Sequence, residues 1–151
     1  MKQVIAKIDF ATPVHSLQAG PSKPVIIALK SQFPVAEQKK QVLQQLLVTD
    51  SDVQRGRQET FQWYYHSKDR SKRAYIGSDA MYVEYSKYDS FEDLERDFLT
   101  VSNALFDEIE DLQVKRLGLR FVDNIEFPRE KQPTKWSKYL HRDLLASFNL
   151  A

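Results

Sequence analysis

Cysteine is absent from the sequence. A disulfide framework, a thiolate metal site and a thiol nucleophile are therefore all excluded. Glycine is scarce, with only Gly20, Gly56, Gly77 and Gly118. None of the four belongs to a GxGxxG turn or a P-loop, and no G-x-S-x-G elbow occurs. An excess of one charge is missing too, since 22 Lys+Arg against 21 Asp+Glu leave +1. A chain so close to neutral has no global field with which to recruit nucleic acid or an anionic membrane. Long apolar runs are lacking, and the longest, Pro24–Leu29, falls far short of a membrane span. The first ten residues carry Lys2, Lys7 and Asp9 within their apolar stretch, which a signal peptide does not. The expectation is a cytoplasmic protein with no membrane association.

What is present suits one ordinary core: 151 residues, 42% hydrophobic and 28% charged. Val4, Ala6, Ile8 and Phe10 alternate with Ile5, Lys7 and Asp9, which predicts a strand ended by Pro13. Turn residues over Ala19–Pro24 predict a loop, and Ser22 offers a cap for a short helix over Val25–Gln32 that Pro34 stops. Residues 35–59 are ambiguous. Glu37, Lys39, Lys40, Leu43 and Leu46 are good helix formers, yet Gln41-Leu43-Gln45-Leu47 also alternates. Asp50-Ser51-Asp52 and Arg55-Gly56-Arg57 read as turn and loop. Three strands then follow at hairpin spacing, Thr60–His66, Lys72–Gly77 and Ala80–Tyr85, as an antiparallel meander.

The clearest periodicity is Phe91, Leu94, Phe98, Val101, Leu105, Ile109 and Leu112. It predicts an amphipathic helix of about six turns, capped by Ser90 with Asp93 three positions on. A strand over Lys115–Phe127 and a helix over Lys135–Phe148 complete the chain. The fold class is α+β: an antiparallel sheet with a central three-strand meander, the long helix packed on one face, a short N-terminal helix and a C-terminal helix.

The most distinctive stretch is Arg116-Leu117-Gly118-Leu119-Arg120-Phe121-Val122-Asp123-Asn124. In a strand, Leu117, Leu119 and Phe121 share the face that suits the long helix. Arg116, Gly118, Arg120, Val122 and Asn124 share the other, with the two guanidiniums about 13 Å apart at roughly 3.3 Å per residue. Gly118 leaves a gap between them.

This strand resembles the R-[IL]-G-L-R-[FY]-x-N-type strand of an uncharacterised, sporadically distributed prokaryotic family of roughly 250-residue proteins. Phe33-Pro34, the strand around Trp63, Tyr88 before Phe91, and Trp136 with Tyr139 agree with it. The family's tyrosine is Phe121 here, and its asparagine falls at Asp123 or Asn124. The resemblance implies strand or coil over 36–48, against helix propensity, and the choice between helix and strand stays open there. It also implies that residues 1–130 form an N-terminal domain and that 131–151 begin a second, mostly β half. No activity comes with the family.

Functional readings rest on three features. Arg116 and Arg120, with Asn124, are suited to holding an anion or a nucleotide phosphate, or else pair internally with Asp9, Glu84 or the acidic helix. Tyr64, Tyr75, Tyr82 and their neighbours, beside the basic turn Lys68–Arg73, suit either RNA stacking or cross-strand packing. Charge is segregated. Asp89–Asp111 holds nine acidic residues against the single Arg96, a net −8, and Lys115–Arg142 holds eight bases against three acids, a net +5. Such faces suit a partner or a second copy of the chain, with Trp136, Tyr139, Leu140 and Leu144 as expected interface residues. His15, His66 and His141 lack metal spacing. No catalytic residue, metal or cofactor is expected. A non-enzymatic binding or assembly module, open to homodimerisation, leads an anion-binding domain and, behind it, an RNA-binding one.

Overall fold

The computed structural model describes residues 3–49 and 52–123 and three single positions at 137, 141 and 143, with the backbone alone over 41–60. The first strand, β1 (Gln3–Phe10), buries Val4, Ala6, Ile8 and Phe10 and leaves alternate positions half-buried, as its period-two pattern requires. A 3₁₀ turn over His15–Ala19 buries Leu17. Helix α1 (Lys23–Leu29) starts two residues before the predicted position, because Pro24 suits a first helical turn. Ser22 holds the N-cap position but makes no side-chain capping bond there. The helix also ends early, and Phe33 N–H closes onto Leu29 O before Pro34.

Strands β2 (Val35–Thr49) and β3 (Asp52–His66) pair along their whole length. The ambiguous segment 36–48 is therefore strand. The Arg55-Gly56-Arg57 loop expectation is overturned, since all three residues lie inside β3, with Gly56 opposite Gln45. Continuous cross-strand pairing overrides local turn composition there. Strand β4 (Lys72–Ile76) pairs with β3 only from Trp63 to His66. Residues 39–49 and 52–62 thus form a two-stranded ribbon, about 36 Å long at ~3.3 Å per residue, with no third strand among the described residues.

Strand β5 (Ala80–Tyr85), helix α2 (Phe91–Glu108) and strand β6 (Val114–Val122) complete the described fold. The six strands run in the order β2-β3-β4-β5-β1-β6, and every neighbouring pair is antiparallel. The fold is α+β, with both helices on one face of the sheet. The Ser90 hydroxyl accepts from Asp93 N–H at 3.2 Å, so the predicted cap forms. Helix α2 seats Leu94, Val101 and Leu105 over β5 and beside α1, in one core with Val25, Leu29, Phe33, Ile76 and Val83. It is a turn shorter than predicted, because Ile109 is extended and Asp111 takes a left-handed φ of 59°.

One packing expectation fails. Register places Leu117, Leu119 and Phe121 opposite Ile8, Ala6 and Val4, on the helical face as predicted. Yet they remain 67%, 50% and 45% exposed. The reason is lateral: α2 rests on β5 and α1, and β6 is the edge strand beyond its reach. Strand β6 ends at Val122 and Asp123 lies outside it; the rest of the predicted strand, 124–127, lies outside the described residues. The predicted boundary near 130 and almost all of the predicted terminal helix lie outside the described residues.

Candidate functional site

The arginine pair is the first sequence-predicted site, and the fold divides it. Arg116 Nε and Nη2 both lie 2.7 Å from Asp9 Oδ2, and Lys7 Nζ lies 2.7 Å from Asp9 Oδ1. The hydrogen bond from Lys7, then that from Arg116, holds the Asp9 carboxyl below its ordinary range. Arg116 is thus engaged by one of the internal partners anticipated from sequence. A second, Glu84, accepts from Arg73 at 2.6 Å and from the Gln3 amide at 2.6 Å instead. Arg120 faces the same helix-free side, opposite Ile5, and meets no carboxylate among the described residues. The gap at Gly118 is real, since a Cβ there would meet nothing within 4 Å. Asn124 lies outside the described residues.

The meander tyrosines form a row across that helix-free face. Register sets Tyr64 opposite Tyr75 and Tyr75 opposite Tyr82, with ring centroids 5.2 and 4.8 Å apart. Lys39 and Arg73 stand 5.0 and 5.4 Å from the Tyr64 ring. Burial pushes the Tyr75 and Tyr82 phenols up. The basic turn beside them is largely neutralised within the chain. Arg70 pairs with Glu37 at 3.2 Å, Lys72 with Asp97, and Arg73 with Glu84. Asp69 accepts from the Ser67 hydroxyl, the Ser71 N–H and the Ser71 hydroxyl, and its carboxyl falls to about 2. Tyr75 and Tyr82 stack and Tyr64 packs tilted on Tyr75, beside a turn with little spare charge to offer a phosphate backbone.

His66 lies at the end of this row, 7% exposed, beside a cleft of about 250 Å³ shared with Arg70, Arg73 and Glu84. Burial holds its imidazole below the usual histidine range. Its Nε2 is 3.2 Å from Glu37 Oε2 but makes no hydrogen bond.

The third feature was not legible as a site in the sequence. Between α2 and β6 runs an apolar groove of about 240 Å³, floored by Ala6, Leu117 and Leu119 and walled by Phe91, Phe98 and Leu99. Phe91 and Leu99 are 49% and 45% exposed. Phe121 extends the groove and meets Tyr88 edge-on, with centroids 5.9 Å apart. The groove ends at the outer edge of β6, which pairs with no further strand among the described residues. The predicted interface residues Trp136, Tyr139, Leu140 and Leu144 lie outside the described residues. A signal did exist: Phe91 and Leu99 widen the apolar stripe of the helix beyond what one sheet contact covers.

No protein-family model, curated protein or solved structure matches the chain. Among the described residues no cluster of His, Asp or Glu is arranged to hold a metal, and no helix is long and apolar enough to cross a membrane.

Proposed function

We propose that the chain is a non-enzymatic binding or assembly module of the cytoplasm, the N-terminal part of a protein of the prokaryotic family that its last strand resembles. The observation carrying this reading is the groove between α2 and β6. Four large apolar side chains, Phe91, Leu99, Leu117 and Leu119, line it and are each 45% exposed or more, and Phe121, 45% exposed, follows Leu119 on the same face of β6. Contiguous apolar surface of this kind, rimmed by charge, marks interaction sites. The charge on its wall is Glu95. The test is a Leu117→Lys, Leu119→Lys double variant at low micromolar protein. It should unfold within about 1 kcal/mol of wild type, as surface changes do, and lose the fluorescence enhancement of an apolar dye that wild type gives. A loss of several kcal/mol would make these residues core and end the reading.

Anion or nucleotide-phosphate binding, with a possible enzyme behind it, keeps one supporting observation. Arg120 faces the open side beside the empty space at Gly118 with no carboxylate partner among the described residues. Titration of inorganic phosphate into wild type and Arg120→Ala tests it, and equal heats in both remove it. RNA binding through the tyrosine row has less support, because the adjoining cations are paired.

A further inference from the structure

We propose that the occupant of the groove and of the open β6 edge is a second copy of the same chain, joined β6 to β6 in one antiparallel register centred on Leu119. This rests on the assembly reading above and names its partner. An edge strand leaves a row of backbone donors and acceptors free to pair with another chain, and β6 has such an edge over nine residues. A two-fold axis normal to the sheet keeps the helical faces of both copies on one side. Directly opposed residues must then share a face.

The sequence of β6 selects among the registers that remain. Centring on Gly118 opposes Arg116 to Arg120 of the second copy, twice, and like charges directly opposite destabilise. Centring on Arg120 opposes that residue to itself and sets Leu117 against Asp123. Centring on Leu117 sets Leu119 against Lys115 and leaves Phe121 at the margin. Centring on Leu119 alone opposes Leu117 to Phe121, Leu119 to Leu119, and Lys115 to Asp123. On the other face it sets Arg120 against Gly118, where a Cβ would meet nothing within 4 Å, and Arg116 against Val122. Six apolar side chains then form one stripe, and the two grooves merge into a trough walled by Phe91 and Leu99 of each copy. The acidic α2 helices do not oppose this. Each lies inward of β6, so at least three strand spacings, about 14 Å, separate them, beyond a Debye length of about 8 Å.

A chain without cysteine makes the register directly testable. Opposed residues of an antiparallel pair have Cα atoms about 4.5 or 5.5 Å apart, within disulfide reach. Under mild oxidation Leu119→Cys should become a covalent dimer. Leu117→Cys and Phe121→Cys alone should not, because each lies about 13 Å along the strand from its own mate. Mixing the last two should give the heterodisulfide. In wild type, the β6 amides should gain hydrogen-exchange protection as protein concentration rises, a readout that needs no variant. Equal linking by all three single variants would mean random collision and overturn the proposal. A chain that sediments as a monomer up to about 100 µM, with β6 protection independent of concentration, would overturn it in favour of an edge covered by the chain's own residues. A dimer that persists in sedimentation without linking at 119 removes only the β6 register and leaves the assembly reading standing. Loss of the dye response in the lysine double variant supports that reading independently of any dimer.

Discussion

Lys72 on β4 meets Asp97 on α2 in an ion pair buried between sheet and helix. Asp97 has no solvent exposure, and its Oδ2 also takes the Tyr85 hydroxyl from β5. Lys72 Nζ further donates to Gln32 Oε1 at 3.1 Å, just after α1. One carboxylate therefore fixes α2 against two strands. Removing one partner of a buried pair leaves the other uncompensated, at a cost on the order of 3–5 kcal/mol. Asp97→Leu should show that loss in chemical denaturation. Adding Lys72→Met should recover part of it, since replacing both charges by apolar groups is often neutral. A double variant as unstable as the sum of the singles would mean the pair is not coupled.

The position of α2 makes a second prediction, from the contrast between Leu105 and Leu119. Leu105 is fully buried and Leu119 is half exposed. Leu105→Ala should cost about 2–5 kcal/mol, as a large-to-small change in a core does. Leu119→Ala should cost less than about 1 kcal/mol in the monomer. Comparable losses at low micromolar protein would place β6 under the helix, against the observed packing.

These contrasts also show where the sequence is legible. The α2 stripe, its Ser90 cap and the meander follow from short-range periodicity and capping chemistry, which act between neighbours in the chain. Asp9 was one of three internal partners open to Arg116 from sequence, with Glu84 and the acidic helix, and only the β1–β6 register chooses among them. The uncovered Leu117, Leu119 and Phe121 were not legible, because a strand's apolar face says nothing of its place in the sheet. At the centre those residues would be core, and at the edge they are surface. Residues 35–59 stay ambiguous locally for the same reason: their helix formers and the Arg55-Gly56-Arg57 loop residues lie in two strands whose pairing is decided along 15 positions at once.

Gly20 and Gly118 should respond in opposite ways to a side chain. Gly20 has a φ of 106°, a region that favours glycine, and a Cβ there would come within 2.8 Å of the Trp63 ring. Gly20→Ala should destabilise by more than about 1 kcal/mol. Gly118 lies in extended backbone with open space, so Gly118→Val should leave monomer stability equal or raised, as a β-branched residue suits a strand. Thermal melts of the two variants decide it. A destabilising Gly118→Val in dilute protein would show that something occupies that space.

His66 makes stability depend on pH near neutrality. Burial first, then the positive charges of Arg70, Arg73 and Lys39, holds its imidazole below the usual histidine range, and Glu37 opposes them. The unfolded chain, with an ordinary value near 6.5, therefore binds more protons than the folded one as pH falls through that region. Stability rises with pH wherever the unfolded state binds more protons, so this contribution is present above about pH 6.5 and is lost on acidification. Asp9, Glu37 and Asp69 are also held low by their partners, and their contribution follows only below about pH 4. Denaturant melts from pH 7.5 to 5 should show falling stability, at no more than about 1.4 kcal/mol per pH unit for one proton. His66→Gln should flatten that limb and leave the acidic limb in place. A wild-type stability that rises on acidification through the same window would mean that the folded chain takes up the proton, with Glu37 outweighing the burial of the ring.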